Sequence, residues 1–229
     1  YSAQEATQQS VEGITPESLR ELHGRIFQPG NMMISATGDF DIDWMLGKLE
    51  DAFGGWQASE PVPDPPAPTN TVAPGLFHAN VTQADLPQGT AILFARGIQR
   101  DDPDAIPLLI MNDILGGGGF TSRITNRVRS DEGLAYTAVS FMQPAVYYPG
   151  MFGGFFQSKN ETVALATKLM LEEIERIRNE PVTEEELSRA KNGFVEAFPQ
   201  RFASKPSMLG VFVNDAMTGP RTHPPPTLS

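Results

Sequence analysis

Apolar residues recur along this chain in two rhythms. From Ile106 to Leu115 they run almost unbroken, which predicts a helix buried nearly all round. Asp101 to Asp104 cap it, and Pro107 is tolerated because it falls in the first turn. A helical spacing returns at Leu19, Leu22, His23 and Ile26, and again at Met45, Leu46 and Leu49. The same spacing marks Val163, Ala166, Met170, Ile174 and Ile177, then Leu187, Ala190, Phe194 and Phe198. Ile124 and Val128 share one face of a short helix that Arg129 closes. Runs rich in β-branched and aromatic residues predict strands at 31–37, Thr90–Ala95, Leu134–Met142 and Gly150–Gln157, with a short edge strand at Val81–Leu86. Thr90–Ala95 reads as a core strand. The elements together predict an α+β fold, an antiparallel or mixed sheet with helices packed mainly on one face.

Turn chemistry sets the boundaries. Thr15-Pro16 is a strong helix start, and Pro29-Gly30 stops that helix. Thr183 to Glu186 forms a capping box for the helix after it. Gly116 to Gly119 end the buried helix, since glycine accepts left-handed conformations and lets another backbone approach closely. Asp131, Glu132 and Gly133 make the turn into Leu134–Met142. Residues 1–13 are polar, show no clear period and read as extended or loose. Six prolines between 57 and 75 mark an extended linker and the sharpest boundary in the chain. The expected organisation is therefore a helix–strand–helix segment within 1–56, a linker over 57–78, and a second domain over 79–229. One further apolar stretch, Met208–Val213, precedes a proline-rich end at 220–229 that reads as frayed.

Bulk properties narrow the function. The 229 residues suffice to bury a core. The net charge of -11 disfavours nucleic acid, whose phosphates need Lys and Arg. Without cysteine there is no disulfide, thiol nucleophile or thiolate metal site, as in many exported bacterial proteins; a periplasmic or exported location is the expectation. No run approaches the ~20 apolar residues of a membrane span. Tyr1 opens the chain without an initiator Met, so it reads as a piece of a longer protein.

Hydrolytic motifs are missing. The three histidines, His23, His78 and His223, lie far apart, and neither H-x-x-E-H nor H-E-x-x-H occurs. His23 reads as a core or semi-buried histidine on an apolar helix face. G-x-S-x-G and the phosphate-binding P-loop are absent. The remaining signal is the string from Asn112 to Tyr136, in which Arg129 and Tyr136 stand seven positions apart at a helix end and on the next strand. Taken by themselves, Arg129 could pair with Asp131 or Glu132, and Tyr136 could pack on the sheet.

The buried helix followed by L-G-G-G-G-F-T-S-R-I and R-S-D-E-G-L-A-Y resembles the second-half domain of the pitrilysin/insulinase-type zinc metallopeptidases, the inverzincins that include mitochondrial processing peptidases. Weaker similarity spans 15–200, and the unit ending at Gly55-Trp56 resembles the close of that family's first-half domain. The resemblance implies a non-catalytic domain. Arg129 and Tyr136 would hold substrate peptide against a zinc centre in another domain or partner subunit, with Ser122 and Arg123 as cap and support. It implies no metal in this chain and zinc in the parent enzyme or partner, the whole being a zinc metalloendopeptidase. It leaves open a structural role like that of respiratory-complex core subunits. It also raises the expectation that 15–56 completes the sheet of the second domain.

Overall fold

Capping chemistry sets the helix starts. The computed structural model describes residues 6–57 and 87–219, which divide into two units, 6–57 with 204–213 and 87–203 with 214–219. The six linker prolines between 61 and 74, the proposed strand Val81–Leu86, His78, His223 and 220–229 lie outside the described residues.

In the first unit, Thr7 and Ser10 form a reciprocal cap that winds α1, Gln8–Glu12, where the sequence reads as extended. Two short hydroxyl side chains are enough to start this turn. The same Thr/Ser box at Thr15 and Ser18 opens α2, Pro16–Ile26, as the spacing predicts. Asp41 accepts from the Trp44 N–H at 2.8 Å and opens α3, Ile42–Phe53. Residues 32–37 differ from expectation. Their backbone forms no strand, because an apolar, extended run becomes one only where a neighbour completes the ladder. His23 is likewise no core residue: it is exposed and stacks on Phe27 at 4.7 Å.

The second unit is built on a three-stranded antiparallel sheet in the order β1-β3-β2, with β1 Gln88–Arg96, β2 Ala135–Gln143 and β3 Met151–Lys159. Among the described residues β1 lies at an edge, not in the core. Ala91 and Leu93 pack inward, whereas Ile92 and Phe94 stay on the open face, 53% and 66% exposed. One face therefore carries the helices: α5, Val163–Asn179, lies along β1 and β3, and α4, Ala105–Asn112, against β2. The core between them holds Leu115, Ile124, Val128, Phe156, Ala166 and Met170. The result is an α+β fold. Asp104 begins α4 without a side-chain cap; instead Asp102 Oδ1 accepts from the Asp104 N–H at 2.9 Å.

Thr183 opens α6, Glu184–Ala197, through its capping box. A second apolar cluster takes in Leu187 and Ala190 and ends there, which leaves Phe194 and Phe198 exposed against expectation. The last apolar stretch is longer than the sequence suggests. It forms α7, Lys205–Thr218, whose end is held in the second unit by Arg100, donating to Thr218 Oγ1 at 2.7 Å and to the Gly219 carbonyl at 3.2 Å. Among the described residues no helix is long and apolar enough to cross a membrane.

Candidate functional site

Between α4 and β2 the backbone departs from regular geometry four times within 24 positions, from Asp113 to Tyr136. First, α4 widens into a π-helical turn, Asp113–Gly117. A Cβ at Gly116 would collide with the Ser140 backbone, so this glycine is what lets the turn lie on β2. Next, Gly119 takes φ 68° and redirects the chain into a short turn, Gly119–Thr121. A second π-helical segment follows, Thr125–Asp131. It leaves its helix at Gly133, φ 61°, where the Gly133 N–H reaches the Arg129 carbonyl at 3.1 Å and the Leu134 N–H the Val128 carbonyl at 3.0 Å. Finally, the β2–β3 register slips between Ala135 and Thr137, so Tyr136 sits on a β-bulge. Single-turn π segments and bulges re-aim side chains and recur at functional sites.

Three side chains meet where these irregularities converge. Arg129 Cζ lies 4.4 Å from the ring centroid of Phe120 and 5.1 Å from that of Tyr136. Both rings face solvent, Phe120 66% and Tyr136 80% exposed. The structure thus brings the two sequence-predicted residues together and adds a third. Each cation–π contact contributes about 0.5–1 kcal/mol at an exposed site. Glu132 pairs with Arg127 at 3.5 Å, not with Arg129. Among the described residues no ion pair or hydrogen bond engages the Arg129 guanidinium; the Asp131 side chain lies outside the described residues. Phe120 is legible in the sequence only as an aromatic residue following four glycines, with no periodic signal.

A buried scaffold holds the cluster. Ile124 and Val128 anchor the π segment in the core. The Thr125 hydroxyl donates to the Ala138 carbonyl at 2.8 Å, fastening the segment to β2. Ser122 is buried, but it does not cap through an N–H; its hydroxyl lies 2.7 Å from the Gly119 carbonyl and 2.9 Å from Thr125 Oγ1. Arg123 forms a bidentate pair with Glu186 at 2.6 and 2.7 Å, across 63 positions of sequence. That bond holds the Glu186 carboxyl down at about 2 and raises the Arg123 guanidinium above its usual range. Burial raises Asp113, partly offset by Arg189. Arg123, Asn126, Arg127, Glu172, Glu173 and Arg176 line a polar cleft of about 480 Å³. Among the described residues no group of three or more His, Cys, Asp or Glu side chains could hold a metal ion, and the two carboxylates lining this cleft each face a cation, Glu172 with Lys168 at 3.7 Å and Glu173 with Arg176 at 3.6 Å.

A family model described as the peptidase M16 inactive domain matches residues 13–194. An uncharacterized zinc protease of Streptomyces coelicolor is 25% identical over 192 residues, which cover 80% of this chain and 40% of that protein. A non-peptidase homolog of Helicobacter pylori is 25% identical over 212 residues, 91% of this chain and 47% of the other. The crystal structure of a peptidase M16 inactive domain from Pseudomonas fluorescens superposes with a TM-score of 0.69 at 24% identity, covering 91% of this chain and 48% of that one. The chain thus spans less than half the length of these relatives.

Proposed function

The chain belongs to the peptidase M16 inactive-domain family, and from that premise we propose that it grips a substrate peptide through Arg129 and Tyr136 on behalf of a zinc-bearing domain or partner subunit. In this reading 1–56 close a preceding domain, and 79–229 form the gripping one. The observation that carries it is the Arg129 guanidinium, seated against two exposed rings and bonded to no carboxylate among the described residues. The acidic neighbour whose side chain is described, Glu132, pairs with Arg127 and leaves Arg129 to the two rings. The chemistry suits a peptide. Guanidinium and phenol both donate hydrogen bonds to carbonyl oxygens. Two fixed donors orient a backbone and can support the negative charge that develops on a carbonyl oxygen during hydrolysis.

The described residues of this chain do not fit a catalytic zinc, which needs three protein ligands and an open position; His23 is the one histidine among them, and it stands apart on an exposed helix. Zinc therefore belongs, in this proposal, to the catalytic partner, and this chain's part is to bind and orient. The test is peptide turnover by the enzyme with its zinc-bearing half present. Arg129→Ala and Tyr136→Phe should each lower kcat/KM by about 10²-fold with zinc content unchanged. Wild-type turnover in both variants would refute the assignment.

The similarity to a protein named a non-peptidase homolog favours one other reading, an assembly subunit without proteolytic role. An H-x-x-E-H motif in the remainder of the gene or in its neighbour supports the peptidase reading; its absence from both supports assembly.

A further inference from the structure

Phe120 is the member of the cluster that peptide gripping by Arg129 and Tyr136 leaves unused. It belongs to neither apolar cluster of the second unit, and two thirds of its surface is exposed. Its ring nevertheless lies nearer the guanidinium than Tyr136 does, 4.4 against 5.1 Å. The turn that carries it is fixed on every side. Gly119 enters it with φ 68°, a conformation that side chains resist. The Ser122 hydroxyl holds the Gly119 carbonyl at 2.7 Å, the Thr121 hydroxyl donates to the Gly118 carbonyl at 3.3 Å, and Arg189 Nη2 donates to the Thr121 carbonyl at 3.3 Å. A large apolar ring is thus held out to solvent on a rigid turn, beside a donor to peptide carbonyls. A bound peptide presents the matching pair, a carbonyl and, on the Cα bonded to it, a side chain.

We propose that Phe120 is a specificity-determining residue: it receives the side chain next to the carbonyl that Arg129 holds, and selects an aromatic or large aliphatic one. This rests on the reading that Arg129 and Tyr136 bind peptide. An acidic side chain there would pair with the guanidinium and not with the ring, so the preference for Phe and Leu over Ala is the one that reports Phe120. One well-placed apolar contact discriminates by about tenfold. The exposed position of Phe120 means that its replacement should leave folding intact.

The experiment titrates the full chain with four peptides, acetyl-Ala-Ala-X-Ala-Ala-amide with X as Phe, Leu, Ala or Glu, read by ligand-observed NMR. Wild type, Phe120→Ala, Phe120→Leu and Arg129→Ala are compared. Expected are a roughly tenfold preference for Phe and Leu over Ala in the wild type, its loss in Phe120→Ala with the Ala peptide bound as before, its partial recovery in Phe120→Leu, and weaker binding of all four in Arg129→Ala. If Phe120→Ala keeps the preference, or weakens all four peptides equally while Arg129→Ala also weakens all four, the specificity role is overturned and the grip stands. If no peptide binds the wild type, the grip itself falls and takes the specificity role with it.

Discussion

The Arg123–Glu186 pair is a largely buried, bidentate tie in the second unit and gives the sharpest stability prediction. Its side chains are only 8% and 18% exposed, and two short bonds join them. Glu186→Gln removes the charge while leaving a side chain that a capping box accepts, so the start of α6 should survive. The carboxyl moves from 4.5 to about 2 on folding, which corresponds to about 3 kcal/mol. Because Glu186 is partly open to screening solvent, about 2–3 kcal/mol is the expected loss at neutral pH. For a chain of this size that lowers Tm by roughly 5–10 °C. The sign with pH follows from the direction of the shift. A carboxyl depressed in the folded state stabilises fully above its unfolded value of 4.5, and that contribution drains away as pH falls toward 2. At pH 3 roughly two fifths of it remains. Urea unfolding of wild type and Glu186→Gln at pH 7, 5 and 3 measures the gap. Far-ultraviolet circular dichroism is the suitable probe, because both tryptophans, Trp44 and Trp56, lie in the other unit. A gap that is constant between pH 7 and 5 and shrinks at pH 3 is expected. Adding Arg123→Met should restore part of the loss, since the uncompensated buried cation is then gone. Equal stabilities at pH 7, or a gap undiminished at pH 3, would refute the reasoning.

Two further outcomes follow from local geometry. Gly116→Ala drives a methyl into the Ser140 backbone, where neither side can yield freely, and should cost about 1–3 kcal/mol in the same unfolding assay. Thr183→Ala removes the hydroxyl that accepts from the Glu186 N–H at 3.2 Å and should cost about 1 kcal/mol, with helix content falling slightly by circular dichroism.

Elements that declare themselves through local chemistry were legible in the sequence. The Thr15 and Thr183 caps, the apolar run of α4 and the periodic face of α5 each depend on neighbours within a few positions. Gly116 was legible in kind: the close approach that its missing Cβ permits is made by the β2 backbone at Ser140. Features that depend on distant partners were not. Residues 32–37 have strand-like composition, but pairing is a property of two segments. Phe94 looks like core from its type, and only the sheet order leaves it on an open face. The partner of Arg123 lies 63 positions away: the capping spacing singles out Glu186 as a cap, and nothing in the sequence says that it also takes Arg123. Of the site, the resemblance supplied Arg129 and Tyr136, whereas the ring of Phe120 joins them only through the turn at Gly119.

The bulge at Tyr136 carries a consequence for how this chain tolerates change. In an unbroken strand, even-numbered positions of β2 would share one side, and Ala138 and Ser140 both point into the core. Tyr136 has the same parity and yet faces water, since the extra residue reverses the count just after it. Losing Ala135 would straighten the ladder and turn the phenol under the sheet. Point substitutions around the cluster should therefore be absorbed far more readily than any change in length, which would erase the site while leaving every neighbouring side chain chemically intact.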